Sequence, residues 1–187
     1  MPRQTGLVAP AKHTASGGTM MAILTPDMKR VVREERLGYI ATVCPDCTPN
    51  LSPKGTTTVW DDDHLVFADI CSPGTIENLR HNPAIEINVV DPILRKGYRF
   101  KGTAVVLEAG SPFEKVMGFY RNTYKMHPKT AESVRCVVLV KVERALPLIS
   151  PIYDLGVTED EVAARYAKYY AGVRARTPMR IASSEPR

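Results

Sequence analysis

Six short runs rich in valine, isoleucine and aromatic residues fill the middle of the chain, and no two are joined by a long helix with a parallel return. Tyr39-Ile40-Ala41-Thr42-Val43 and Asn50-Leu51-Ser52 flank a Pro45-Asp46-Cys47 turn, and Leu65-Val66-Phe67-Ala68 follows the acidic turn Asp61-Asp62-Asp63. Residues 84–90, 98–107 and 134–142 complete the set. β-Branched and aromatic side chains suit half-buried strands. Six strands with short helices inserted between them predict a mainly β, α+β fold, an antiparallel barrel or sandwich. A doubly wound nucleotide fold is disfavoured, because neither GxGxxG nor GxxxxGK[ST] occurs.

The helix starts carry their own chemistry. Thr25-Pro26-Asp27, Ser72-Pro73-Gly74 and Ser111-Pro112-Phe113-Glu114 each put a hydroxyl N-cap before a proline at the first helical position, where a missing amide proton costs nothing. Thr158-Glu159-Asp160-Glu161 reads as a capping box. The predicted helices are 26–36, 73–81, 112–125 and 158–171.

At 187 residues, 44% hydrophobic and 24% charged, the chain has the material for one ordinary core. Its apolar runs are strand-sized, well short of the ~18 residues of a membrane span. The formal charge of +5 suggests a nucleic-acid binder until it is located. Residues 1–20 hold Arg3 and Lys12 with no acid, and residues 172–187 hold Arg174, Arg176, Arg180 and Arg187 against Glu185. The rest is balanced, so the basic excess says little about the partner of the folded part. Four cysteines, Cys44, Cys47, Cys71 and Cys136, do not make a disulfide scaffold, and no secretory leader is visible. A reducing cytoplasm is the expected location, with neither membrane nor nucleic acid as partner.

Residues 1–20 lack periodicity and are expected to form a disordered arm or added leader, with Met20 or Met21 as an alternative start. The barrel domain is expected over 21–148, a helical extension over 149–173 packed on the barrel or on a partner subunit, and a loose tail over 174–187.

Three segments could carry chemistry. Ser72-Pro73-Gly74-Thr75 opens a helix directly after a strand, offering two hydroxyls and backbone amides where the helix dipole favours an anion. Alternatively, Ser72 only caps its helix. Ser52-Pro53-Lys54-Gly55 ends a strand with a lysine between proline and glycine, aimed either at a ligand or, at an edge bulge, into solvent. Arg99 and Lys101 share one strand face, which is also the pattern of an ordinary outward charged pair.

Together these segments resemble the pyridoxamine 5′-phosphate oxidase-like, FMN-binding split-barrel family, from about Thr25 to Leu146. The resemblance is carried by Ile40-Ala41-Thr42-Val43, Pro49-Asn50-Leu51-Ser52-Pro53-Lys54-Gly55, Leu65-Val66-Phe67-Ala68-Asp69, Ser72-Pro73-Gly74-Thr75-Ile76-Glu77-Asn78-Leu79, His81-Asn82-Pro83 and Phe100-Lys101-Gly102-Thr103-Ala104. It implies a six-stranded antiparallel split β-barrel with peripheral short helices, assembled as a homodimer with FMN near the interface. Carried over, Lys54, Ser72 and Thr75 contact the flavin phosphate, with Lys101 as a further candidate. Leu51, Ser52, Pro53, Phe67, Ala68 and Asp69 line the ribityl chain or ring. Two departures stand out. Gly74 takes a place where many members have a basic residue, and residues 149–156 lack the Arg-containing segment with which the oxidase proper grips its substrate. Small flavin-nucleotide-binding proteins of the fold are therefore the closer comparison.

Other signals carry less. Cys44-Pro45-Asp46-Cys47 occupies a hairpin turn and lacks the further ligands a zinc site needs. His64 and His127 read as surface histidines, and Asp61-Asp62-Asp63 lacks the spaced oxygens of a calcium loop. Trp60 reads as core, and Tyr166, Tyr169 and Tyr170 stand at helical spacing suited to packing on a neighbour. The resulting expectation is an FMN-dependent oxidoreductase acting on a small organic or nicotinamide partner, with no catalytic side chain or metal assigned. Alternatives are a flavin carrier, buffer or redox sensor without turnover, and a reductase of the same fold using deazaflavin F420.

Overall fold

The computed structural model describes residues 22–176. Residues 1–21 and 177–187 lie outside it, and with them the expected arm and most of the tail. Element order is α1 (Pro26–Glu35), β1 (Gly38–Val43), β2 (Pro49–Lys54), β3 (Thr58–Val59), β4 (His64–Asp69), α2 (Pro73–His81), β5 (Ala84–Asp91), β6 (Lys96–Leu107), α3 (Gly110–Asn122), α4 (Pro128–Glu132), β7 (Cys136–Ile149), a 3-10 turn (Pro151–Leu155) and α5 (Glu159–Arg176). The strands make one antiparallel sheet, β2-β1-β5-β6-β7-β4-β3, curled into a half-barrel.

The expected class stands, with seven strands rather than six. The added strand, β3, has two residues and pairs Thr58 with Val66, too short for a periodic signal. β7 runs on to Ile149, well past residue 142, because β6 accompanies it with Lys96 opposite Ile149. β7 bulges at Glu143, where Lys101 and Gly102 of β6 oppose Arg144 and Val142; a Cβ on Gly102 would lie 2.0 Å from the Lys141 carbonyl oxygen, so only glycine fits that approach.

Helix caps follow the expectation in part. Thr25 accepts from the Met28 amide (3.3 Å), and Thr158 and Glu161 form the reciprocal box. α3, however, starts at Gly110 behind Ala109, leaving Ser111 inside the helix. α4 is an unforeseen single turn after His127, which makes no capping bond. α5 continues to Arg176, so residues 174–176 of the expected tail are helical. The extension packs on the turn between β5 and β6: Tyr153 Oη donates to the Leu94 carbonyl (2.5 Å), and Arg95 lies over the Tyr166 ring.

Two cores flank β4. Phe67 points into the barrel with Leu24, Ile40, Ile87, Phe100 and Val138, while Val66 and Ala68 point to Val116, Met117 and Tyr120 of α3. Burial on both faces explains the unbroken Leu65-Val66-Phe67-Ala68 run. Truncating such a buried phenylalanine typically costs about 3–5 kcal/mol.

Candidate functional site

β2 inverts the usual alternation. Pro49, Leu51 and Pro53 face outward, and Asn50, Ser52 and Lys54 face inward. Leu51 is 65% exposed, whereas Lys54 is only 5% exposed. Polar residues turned to the inside need partners there, and α2 supplies them. Lys54 Nζ donates to Ser52 Oγ and Ser72 Oγ, each at 2.5 Å. Ser72 therefore makes no side-chain cap on α2, contrary to the capping alternative; its hydroxyl is drawn to the lysine.

A second polar layer lies behind this one. Thr42 Oγ1 accepts from Asn50 Nδ2 (3.1 Å) and Asn78 Nδ2 (3.0 Å), while Asn50 Nδ2 also reaches Thr75 Oγ1 (3.4 Å) and Asn78 Nδ2 reaches Cys44 Sγ (3.5 Å). Thr75 is 2% exposed. It braces α2 against β2 from within.

The loop after Lys54 is fixed from the other side. Thr56 Oγ1 donates to the Ala68 carbonyl and accepts from the Ala68 amide, both at 2.9 Å, so one hydroxyl replaces a ladder pair between the end of β2 and β4. Tyr120 Oη donates to the Thr56 carbonyl (2.9 Å) and Tyr124 Oη to the Gly55 carbonyl (2.8 Å). Tyr120 in the last turn of α3 and Tyr124 just past its end thus hold residues 55–56, and with them the direction of Lys54.

Burial pushes the Lys54 ammonium down from the ordinary lysine value, opposed by the charge of Asp69. Asp69 is itself buried, and its Oδ1 has no hydrogen-bond partner among the described residues. It lines a cavity of about 170 Å³ with Pro73, Ile76, Arg80, Arg135 and Cys136. Burial raises the Cys136 thiol to about 11, which makes it a poor nucleophile.

The donor count defines what this corner can hold. An ammonium has three N–H groups, and two go to the serines. Each serine oxygen, having accepted from lysine, keeps its own O–H to donate. One N–H and two O–H groups thus remain beside the start of α2, whose dipole adds to the positive potential. An orphaned carboxylate oxygen nearby calls for a donor. These residues fit a ligand that ends in a phosphate and carries hydroxyls next to it.

Other expected site residues lie elsewhere. Phe67 and Ala68 are core, and both backbone polar groups of Ala68 meet Thr56. Pro53 pairs with Tyr39 on the outer face. Lys101 sits opposite Glu86 (3.2 Å), which also meets Arg99 (2.9 Å), and lines a separate groove of about 440 Å³ with Ala41, Val43 and Ile85. The structure therefore does not bring Lys101 to Lys54. His64 is bound to Asp61 (2.8 Å) at the opposite end of β4 from Asp69. Thr42, Asn50, Thr56, Asn78 and Tyr120 went unforeseen, because their partners lie far away in sequence. Among the described residues no His, Cys, Asp or Glu cluster suits a metal ion, and no helix is long and apolar enough to cross a membrane.

A curled antiparallel sheet with short helices around it is the split-barrel class. Within it, the chain belongs to the pyridoxamine 5′-phosphate oxidase family, whose family model matches residues 24–146. HupZ from Group A Streptococcus is 30% identical, covering 67% of this chain and 94% of its own, with a TM-score of 0.58. An FMN-binding protein from Syntrophomonas wolfei (18% identity, 65% and 84% covered, TM-score 0.51) and the heme storage protein HutZ from Vibrio cholerae (17%, 67% and 94%, 0.54) share the fold. No protein with a curated description matches the chain.

Proposed function

We propose that this protein is an FMN-dependent oxidoreductase acting on a small organic or nicotinamide partner. The observation that carries the reading is the buried Lys54 held between Ser52 and Ser72, with unspent donors at the start of α2. Membership of a family that includes FMN-binding relatives of the fold supports it. When bound, FMN supplies the hydride and electron chemistry. The chain's own residues bind and orient. Lys54, Ser52 and Ser72 hold the phosphate, with Lys54 carrying the charge that Gly74 does not provide. Asp69 Oδ1 accepts from a hydroxyl of the ribityl chain. Thr42, Asn50, Thr75 and Asn78 keep the start of α2 in register with β2, and Tyr120 and Tyr124 keep Lys54 pointed at the phosphate. The outward apolar row of Tyr39, Leu51 and Pro53 offers a face for the second subunit of a homodimer.

The absorption spectrum and mass of the molecule that co-purifies test this directly. A flavin spectrum with the mass of FMN is expected. Deazaflavin F420 would be told apart by both readouts, and a colourless protein that takes up no flavin would overturn the assignment. A flavin carrier or redox sensor without turnover is a second reading. It is favoured by one observation: the titratable groups at the socket, Lys54 and Asp69, are both buried. Anaerobic bleaching by NADH or NADPH, with reoxidation by an added acceptor, separates turnover from storage.

A further inference from the structure

The turn between β1 and β2 contains a chemical oddity. Cys47 N–H donates to the Cys44 carbonyl (2.8 Å) inside the pair that Cys44 N–H makes with the Thr48 carbonyl (2.9 Å), closing a four-residue turn. Cys47 has a φ of 66°, a left-handed backbone better served by glycine or asparagine. Its sulfur therefore does not serve the turn. Cys47 is exposed, and Cys44 is half-buried with its Sγ accepting from Asn78 Nδ2 (3.5 Å).

The ends of such a turn lie within ~7 Å between Cα atoms, overlapping the ~4.4–6.8 Å range of disulfides. We propose that Cys44 and Cys47 form a reversible disulfide whose state is transmitted to α2 through Asn78. The Cys47 thiolate attacks one sulfur of a small-molecule disulfide, forming a mixed disulfide and releasing one small thiol. Cys44, losing its proton, then displaces the second. Two protein thiols become one S–S bond, and the two electrons and two protons leave on two small thiols. Drawing Cys44 Sγ toward Cys47 removes the sulfur acceptor of Asn78, which also holds Thr42 and stands three residues after Thr75 on the same helix face. Oxidation thereby loosens the side of α2 that braces the Lys54 socket. Its effect on cofactor affinity rests on the flavin reading above.

The test uses the full chain with Cys71→Ser, which removes the other exposed thiol, poised in reduced and oxidised glutathione. Intact mass after alkylation should show a species lighter by two hydrogens with two fewer alkylated thiols, and adding Cys47→Ser should abolish it. The oxidised form should bind FMN several-fold more weakly, and α2 amides should exchange faster. Asn78→Ala should bring the reduced form to the same level. Thiols that stay alkylatable at every glutathione ratio would overturn the proposal, as would a disulfide that changes neither FMN affinity nor α2 exchange. If neither form binds FMN, the flavin reading fails alone, and exchange at α2 still decides the switch.

Discussion

At the start of α2, Lys54 gives its ammonium to two serine hydroxyls; at the start of β6, Lys96 gives its own to Glu159 at the surface. Both are lysine–oxygen contacts, yet burial drives the first lysine toward its neutral form, while the Glu159 hydrogen bond holds the second in its charged form. The exposed pair has found its partner within the chain. Among the described residues the buried cation has only neutral hydroxyls touching it, and Asp69 nearby offsets its charge in part. That difference marks Lys54 as a group awaiting an anion, whereas Lys96 secures a helix.

The largest effect should come from Lys54→Met. Removing a charge-assisted contact worth about 1.5–3 kcal/mol should weaken FMN retention on the order of 10- to 100-fold. The melting temperature of the apoprotein should stay level or rise, because an apolar replacement relieves a poorly compensated buried charge. Flavin titration and calorimetry on the same preparation check both halves, and a lysine held for stability would reverse the second.

Thr56→Val tests the frame around that lysine. It strands the buried amide and carbonyl of Ala68, so unfolding free energy should fall by about 1–3 kcal/mol in urea titrations.

A smaller signal should appear in the pH dependence of apoprotein stability. Because the folded Lys54 pKa lies below the unfolded one, the unfolded chain holds more protons between those two values. Stability should therefore rise with pH across that window and be flat below it. Tyr120 and Tyr124, raised by burial, act oppositely at higher pH. The difference between wild type and Lys54→Met isolates the lysine. At the surface, Lys96→Ala should leave the urea midpoint unchanged at physiological salt, since exposed pairs contribute little; a clear loss would erase the contrast between the two lysines.

What could be read from the sequence was local. Thr25, the box at Thr158, and the alternating runs of β1, β5 and β6 announce themselves through neighbours a few residues away. Ser52, Lys54 and Ser72 were legible as candidates because each belongs to a recognisable segment. Their meeting at one phosphate was implied only through the family resemblance; the direct Lys54–Ser72 bond joins residues 18 apart and has no local signal. The same holds for Thr56 closing on Ala68 and Tyr120 reaching Thr56, at separations of 12 and 64 residues. Lys101, a further phosphate candidate by resemblance, stands in this structure beside Glu86, its register partner on β5.

The sheet's ends carry a consequence for how these molecules behave when crowded. β2 and β3 are the terminal strands. In β2, prolines at 49 and 53 leave Leu51 as the sole amide donor among the three positions of that phase. β3, with two residues, offers almost no rail. Neither border can template an incoming foreign strand, so fibrillar growth by edge addition is discouraged at both.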